Sequence, residues 1–314
     1  MTFYDGGLMF AVAACLTLAT AQAVSEVPPK LQVVVASDVA ADLAAAVGGS
    51  AIEVVRVGGL GGDPHHAEPT PADAAKVAGA GLVIVFGLGL DADLKKMHAT
   101  SGSRARLLIL ADGLGREGQS CDHPDHSHTH DDDAPTGVST DPHAWHDPIK
   151  VITMTDRLQQ AFAERRPADA AAFKTQAEAL RAKLRELDLW TKEQLAKVPA
   201  DRRTIVTTHE ALGHWGARYG VRVIGVEMTG SEVDTSPTRI LELVASVRAS
   251  GAPVIFGDVA HRSRTAEVVA RESGTRLVET LRLDGLTPSK EMGGSAYLAT
   301  MRGNTEAIVK ALQP

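Results

Sequence analysis

Short apolar runs alternate with amphipathic stretches along most of the chain. Residues 31–36 (Leu-Gln-Val-Val-Val-Ala) have the pattern of a buried strand, and Ser37-Asp38 offers an N-cap to an Ala-rich helix reaching about Val47. Residues 52–57 read as the next strand, followed by a Gly-rich loop carrying Asp63-Pro64-His65-His66-Ala67-Glu68-Pro69-Thr70-Pro71. A short helix over 72–78, a strand over 82–86, a helix over 91–100 and a strand over 107–110 continue the alternation. Strand followed by helix, repeated, is the signature of a parallel α/β sheet. Residues 121–133 break the pattern: they hold no apolar side chain able to anchor them and read as a mobile surface loop.

From 167 to 197 the pattern becomes that of one long helix. Phe173, Ala177, Leu180, Leu184 and Leu187 step by 4, 3, 4 and 3, and Pro167 suits a first helical position. At a rise of about 1.5 Å per residue the helix would reach on the order of 45 Å, longer than one lobe is wide. A second set of strands follows near 204–208, 221–226, 254–256 and 276–279, with helices over 237–249, 264–273 and 306–312. The predicted architecture is α/β: two α/β lobes, each with a mainly parallel sheet, joined by one long rigid helix. The expected division is a signal peptide at 1–23, an N-terminal lobe at 24–166, the linking helix at 167–197 and a C-terminal lobe at 198–314.

Composition narrows what such a protein does. The 314 residues carry a formal net charge of -7 and only 4% aromatics, which argues against nucleic acid as a partner. Residues 8–23 are apolar and end in Ala21-Gln22-Ala23, an export-signal cleavage pattern, although no Lys or Arg precedes Lys30. Val12-Ala13-Ala14-Cys15 offers an alternative, lipoprotein-type cleavage site. Cleavage after Ala23 would leave Cys121 as the lone cysteine, so no internal disulfide is expected. No other segment is long enough to cross a membrane.

The chemistry gathers at two Asp-Pro-His triplets, Asp63-Pro64-His65 and Asp141-Pro142-His143. Proline fixes its own φ and pushes the preceding residue towards extended geometry, so each imidazole is presented from a stiffened backbone. Less motion then has to be frozen when a metal binds. His143 with His65 or His66 forms the first candidate pair, and Trp145 is expected to pack beside it. His209 stands where a strand ends and a helix begins, the edge at which α/β sheets place ligands. His214 lies five residues further on, too far round a helix to share a small ion with His209. Glu210 and His214 therefore read as capping or packing groups. Asp284, in an Asp-Gly turn after the last confident strand, can supply the carboxylate that three neutral imidazoles need around a divalent ion. Its ordinary alternative is a plain turn residue.

Two further motifs compete or assist. Gly87-Leu88-Gly89-Leu90-Asp91-Ala92 fits a loose dinucleotide fingerprint, with Asp112 at the next strand end, but it follows the third strand and not the first. His123, His126, His128 and His130, interleaved with Asp, form a tract of the kind that binds transition metals weakly.

Taken together, the two Asp-Pro-His stretches, Glu68-Pro69-Thr70-Pro71, Ala144-Trp145 with Asp147-Pro148, and Thr208-His209-Glu210 before Tyr219-Gly220 resemble the zinc/manganese class of periplasmic solute-binding proteins that feed ABC importers. The resemblance covers nearly the whole chain after the leader. It implies a periplasmic zinc receptor without catalysis, with Zn²⁺ held in the interlobe cleft by His65, His143, His209 and Asp284. His66, beside His65, stays open as the alternative first ligand. Manganese members carry a carboxylate at the third position; here it is His209, and imidazole suits zinc. His146 replaces the family's usual apolar residue and is expected to stand behind the ligands. The implied partners are an ABC permease in the inner membrane and a periplasmic zinc chaperone, with the protein itself a monomer. Small lobe motion is expected, because the long helix should resist hinge opening. Two alternatives remain on these residues: a secreted zinc-dependent hydrolase using Glu210 or Glu227 as base, and a metal-linked surface adhesin on the same fold.

Overall fold

The structure, a computed structural model, describes residues 2, 29–58, 70–117, 138–139, 141–226, 236–287 and 295–313. The expectations for the leader, Cys15, the 121–133 loop, His65, His66 and Glu227 fall outside the described residues.

The first lobe is built from β1 (Leu31–Val35), α1 (Asp38–Gly48), β2 (Ile52–Arg56), α2 (Pro71–Gly79), β3 (Leu82–Val85), α3 (Ala92–Thr100) and β4 (Arg106–Ile109). The strands lie in the order β2-β1-β3-β4 and all pairs are parallel. Parallel sheets are covered on both faces, and β3 shows it: all four of its residues are buried. Val83 and Val85 pack towards Val77 of α2 and Leu94 of α3, while Leu82 and Ile84 belong to the cluster on the opposite face. The helix starts are chemically marked. Ser37 Oγ accepts from Ala40 N at 3.1 Å, and Thr70 and Asp73 form a reciprocal capping box before α2.

A small antiparallel pair, β5 (Arg116–Glu117) with β6 (Val138–Ser139), was not expected; it brackets residues 118–137. After a short helical turn over Ala144–His146 comes α4 (Pro148–Arg165), a full helix that the sequence reading did not separate from its surroundings. Asp147 caps it by accepting from Ile149 N at 2.9 Å. A second short turn, Pro167–Asp169, precedes α5 (Ala170–Leu195). The predicted helix is thus present but begins after Pro167, and its 26 residues reach about 39 Å. Its buried face includes the predicted Phe173, Ala177, Leu180, Leu184 and Leu187.

The second lobe contains β7 (Thr204–Thr207), α6 (Gly213–Tyr219), β8 (Arg222–Gly225), α7 (Pro237–Ser250), β9 (Val254–Asp258), α8 (Arg264–Ser273), β10 (Arg276–Leu281) and α9 (Ser295–Leu312). Its sheet runs β10-β9-β7-β8, again parallel throughout. The predicted two-lobed α/β architecture is borne out. Among the described residues no helix is long and apolar enough to cross a membrane.

The lobes are fastened more than once. On α5, Asp188 receives Arg218 of α6 through two bonds, at 2.9 and 2.8 Å. Helix α9, expected only over 306–312, begins at Ser295 and returns to the first lobe. There Tyr297 N donates to Asp42 Oδ2 at 2.9 Å and Tyr297 Oη donates to the Trp145 carbonyl at 2.8 Å. One buried apolar cluster runs through both lobes, joining Val33 and Ile84 to Phe162, Leu184, Phe256 and Tyr297. Separating the lobes would expose this shared core, which opposes wide hinge motion.

Candidate metal centre

In parallel sheets all strands end on the same edge, and the edge is open where chain connections diverge. In the second lobe that point lies between β7 and β9. His209 follows β7, Asp258 ends β9, and Asp284 sits three residues beyond β10. Gly225, at the end of β8, lets the His209 turn lie close: a Cβ there would stand 2.7 Å from the Glu210 Cα. The first lobe faces this edge with His143.

The geometry is convergent. His143 Nε2 lies 3.2 Å from Asp284 Oδ1, and His209 Nε2 lies 3.1 Å from the same oxygen. The two imidazole rings are 5.5 Å apart, centre to centre. The donor atoms of His143, His209 and Asp284 all fall within 4.8 Å of one another, close enough to share one ion.

His143 is held from behind. Asp141 Oδ1 accepts its backbone N–H at 3.0 Å and its ring Nδ1–H at 2.8 Å, leaving Nε2 to face the cleft. His214 steadies Asp141 in turn: its Nε2–H donates to the Asp141 carbonyl at 3.2 Å, while Lys150 Nζ donates to its Nδ1 at 2.8 Å. His214 is therefore the packing and bonding residue that its spacing predicted. Trp145 packs edge-on against both Phe86 and His143, with centroids 5.1 Å away in each case. His146 donates from Nε2 to the Leu283 carbonyl at 2.8 Å, so a first-lobe side chain grips the residue before Asp284. The Asp284 turn is also tied within its own lobe. Asp258 Oδ2 accepts from Leu283 N at 2.7 Å and Asp284 N at 3.4 Å, and the Asn304 side chain bonds both backbone groups of Arg282.

Charge follows from this arrangement. Burial opposes a proton on His143, but the hydrogen bonds and charges of Asp141 and Asp284 outweigh it and hold its pKa up at about 9. Asp141 is also buried, yet bonding to His143 holds its pKa below the ordinary value. His146 goes the other way: burial, then the positive His143, push it down to about 3. His146 is neutral, and its Nδ1 has no hydrogen-bond partner among the described residues.

Of the predicted residues, His143, His209 and Asp284 come together. Glu210 is exposed. The Gly87–Ala92 fingerprint is turned to a structural use: the Asp91 carboxylate accepts from Phe86 N at 2.6 Å and Gly87 N at 3.1 Å, occupying amides a phosphate would need. Sequence reasoning missed Asp258, Lys150 and Asn304. Asp258 had a usable signal, as a carboxylate closing the buried strand Val-Ile-Phe-Gly-Asp.

Known proteins resemble this chain in sequence and fold. The ZnuA family, described as the periplasmic component A of a zinc-uptake complex, matches residues 33–311. The manganese-binding lipoprotein MntA of Bacillus subtilis (strain 168) is 26% identical over 314 residues, covering 98% of this chain and 97% of its own. The iron-binding protein YfeA of Yersinia pestis is 24% identical over 297 residues, covering 92% and 90%. The zinc-binding protein AdcA of Streptococcus pyogenes serotype M3 is 26% identical over 258 residues, covering 79% of this chain and 49% of its own, so the chain spans about half of AdcA. In fold, the chain superposes on the periplasmic zinc-binding protein TroA of Treponema pallidum with a TM-score of 0.76 at 21% identity, covering 91% of this chain and all of that one. Family match, fold and convergent donor set agree: the chain belongs to the ZnuA family of metal-binding receptors for ABC importers, and it is a binding protein, not an enzyme.

Proposed function

We propose that this protein is a periplasmic zinc receptor that captures Zn²⁺ in its interlobe cleft and delivers it to an ABC permease in the inner membrane. The observation that carries the reading is the meeting of His143 Nε2 and His209 Nε2 on Asp284 Oδ1, from opposite lobes. His65, or its neighbour His66, completes the set as a third imidazole. Three nitrogens and one carboxylate oxygen form a closed tetrahedral site, with no position left for an activated water. The relatives' names cover manganese, iron and zinc, so membership of the family leaves the cargo open. The donor chemistry favours zinc, because imidazole is a better partner for zinc than for manganese.

In this reading residues 1–23 direct export, 24–166 and 198–314 are the two lobes, and 167–197 holds them at fixed separation. The protein acts as a monomer. His123, His126, His128 and His130 collect zinc from solvent or from a periplasmic chaperone and pass it inward. The test is a metal competition on stripped protein, in the wild type and in the double variant His143→Ala/His209→Ala. Tight zinc binding that outcompetes manganese and disappears in the double variant supports the proposal; unchanged zinc affinity in the double variant overturns it.

A further inference from the structure

We propose that His261 is a relay ligand. Together with Asp258 and Asp284 it forms a second trio, open to solvent at His261, through which zinc passes into and out of the cleft. The inference rests on the receptor reading and adds a route to it.

The donor atoms of Asp258, His261 and Asp284 lie within 4.8 Å of one another, the same spacing limit that the cleft trio meets. Asp284 is common to both groups. An ion held by Asp284 can exchange His261 for the cleft imidazoles while keeping its carboxylate bond, so capture proceeds by substituting one ligand at a time. Leaving the cleft without such a partner would require several bonds to break before any new one formed.

Position supports the direction of travel. His143 is only 4% exposed, whereas His261 is half-buried in the loop between β9 and α8, near Val259, which is 43% exposed. His261 is therefore the solvent-facing donor of a trio whose Asp258 is buried at 1% exposure. Its scaffold is fixed: Asp258 Oδ1 accepts from Ala260 N at 2.6 Å, and its Oδ2 accepts from Leu283 N at 2.7 Å, tying the His261 loop to the Asp284 turn. Among the described residues no Lys or Arg pairs with Asp258, and the neighbouring Arg262 turns instead to Glu279, at 3.8 Å. Two adjacent carboxylates without a basic partner on Asp258 favour a dication. The trio is also built to let go. It offers a single imidazole, and the Asp258 oxygens are already engaged by backbone amides, so it binds more weakly than the cleft.

The experiment is stopped-flow transfer of zinc between the full chain and a chromophoric chelator, in both directions, for the wild type, His261→Phe, His261→Glu and His209→Ala. His261→Phe should slow uptake and release alike by roughly tenfold with almost no change in equilibrium affinity, and His261→Glu, which restores a donor atom, should recover most of the rate. Unchanged rates in His261→Phe overturn the relay. So does a loss of affinity as large as that of His209→Ala, which would make His261 a resident ligand. Absence of tight zinc in the wild type would instead defeat the receptor reading, so the two failures are distinguishable.

Discussion

His143 and His209 reach the same oxygen of Asp284 at nearly the same distance, yet their surroundings differ. His143 is buried, bonded at Nδ1 to Asp141, and backed by Trp145 and by the His214–Lys150 pair. His209 lies at a half-buried strand end, and Asp284 is its hydrogen-bond partner among the described residues. One wall of the cleft is prebuilt, its imidazole held by Asp141 and packed on Trp145. The other supplies a ligand whose ring has no supporting hydrogen bond beyond Asp284 among the described residues. A receptor that must both hold and release an ion gains from this asymmetry: the rigid side sets affinity, and the looser side exchanges.

The sharpest way to break the comparison is to remove each imidazole in turn. His143→Ala should weaken zinc by on the order of a thousandfold, about 4 kcal/mol, and His209→Ala by roughly a hundredfold. Equal losses in competition titrations would show that the scaffold behind His143 contributes nothing. Next comes that scaffold itself. Asp141→Ala should cost roughly 10–100-fold in zinc affinity, the usual range for a partner that orients a metal-bound histidine. A loss no larger than that from an exposed control such as Glu210→Ala would contradict the role given to Asp141.

The proton on His143 gives a smaller, graded effect. Its pKa is raised from 6.5 to about 9, so at neutral pH the metal-free site is protonated there and zinc must expel that proton. Affinity should therefore rise about tenfold per pH unit from neutrality to pH 9 and level off above it. In the metal-free protein the same shift stabilises the folded state fully below pH 6.5, and that contribution is lost as pH rises through about 9. A flat affinity profile between pH 7 and 9 would show that His143 is already neutral. The smallest change concerns the fastening between lobes. Tyr297→Phe removes the bond to the Trp145 carbonyl and should lower unfolding stability by about 1–2 kcal/mol, leaving zinc affinity within a few-fold. A large affinity loss would mean that α9 also sets the His143 wall.

Much of this was legible along the chain. Strands buried on both faces announce themselves as apolar runs, which is why β1, β3, β7 and β9 fall where the pattern placed them. The helices that escaped are α4 and the first half of α9, whose apolar stripes are broken by Thr155, Thr300, Asn304 and Thr305. In the folded chain Thr155, Thr300 and Thr305 each donate to the carbonyl four residues back, so their hydroxyls are satisfied and they pack as small apolar groups. Local pattern cannot show that. The candidate ligands were readable because the Asp-Pro-His context and strand-end positions are local signals. Asp258, Lys150, His214 and Asn304 act on those ligands across 22 or more residues of chain, and only the tertiary structure brings them together.

The central claim is that the cleft, and not the histidine tract, holds the metal. The direct measurement is a competition titration of metal-stripped protein with zinc and a chromophoric chelator, on the full chain and on a variant lacking residues 122–133. One tight zinc per chain in both proteins is the predicted result. Loss of tight binding in the shortened variant would contradict the account and assign the metal to the tract.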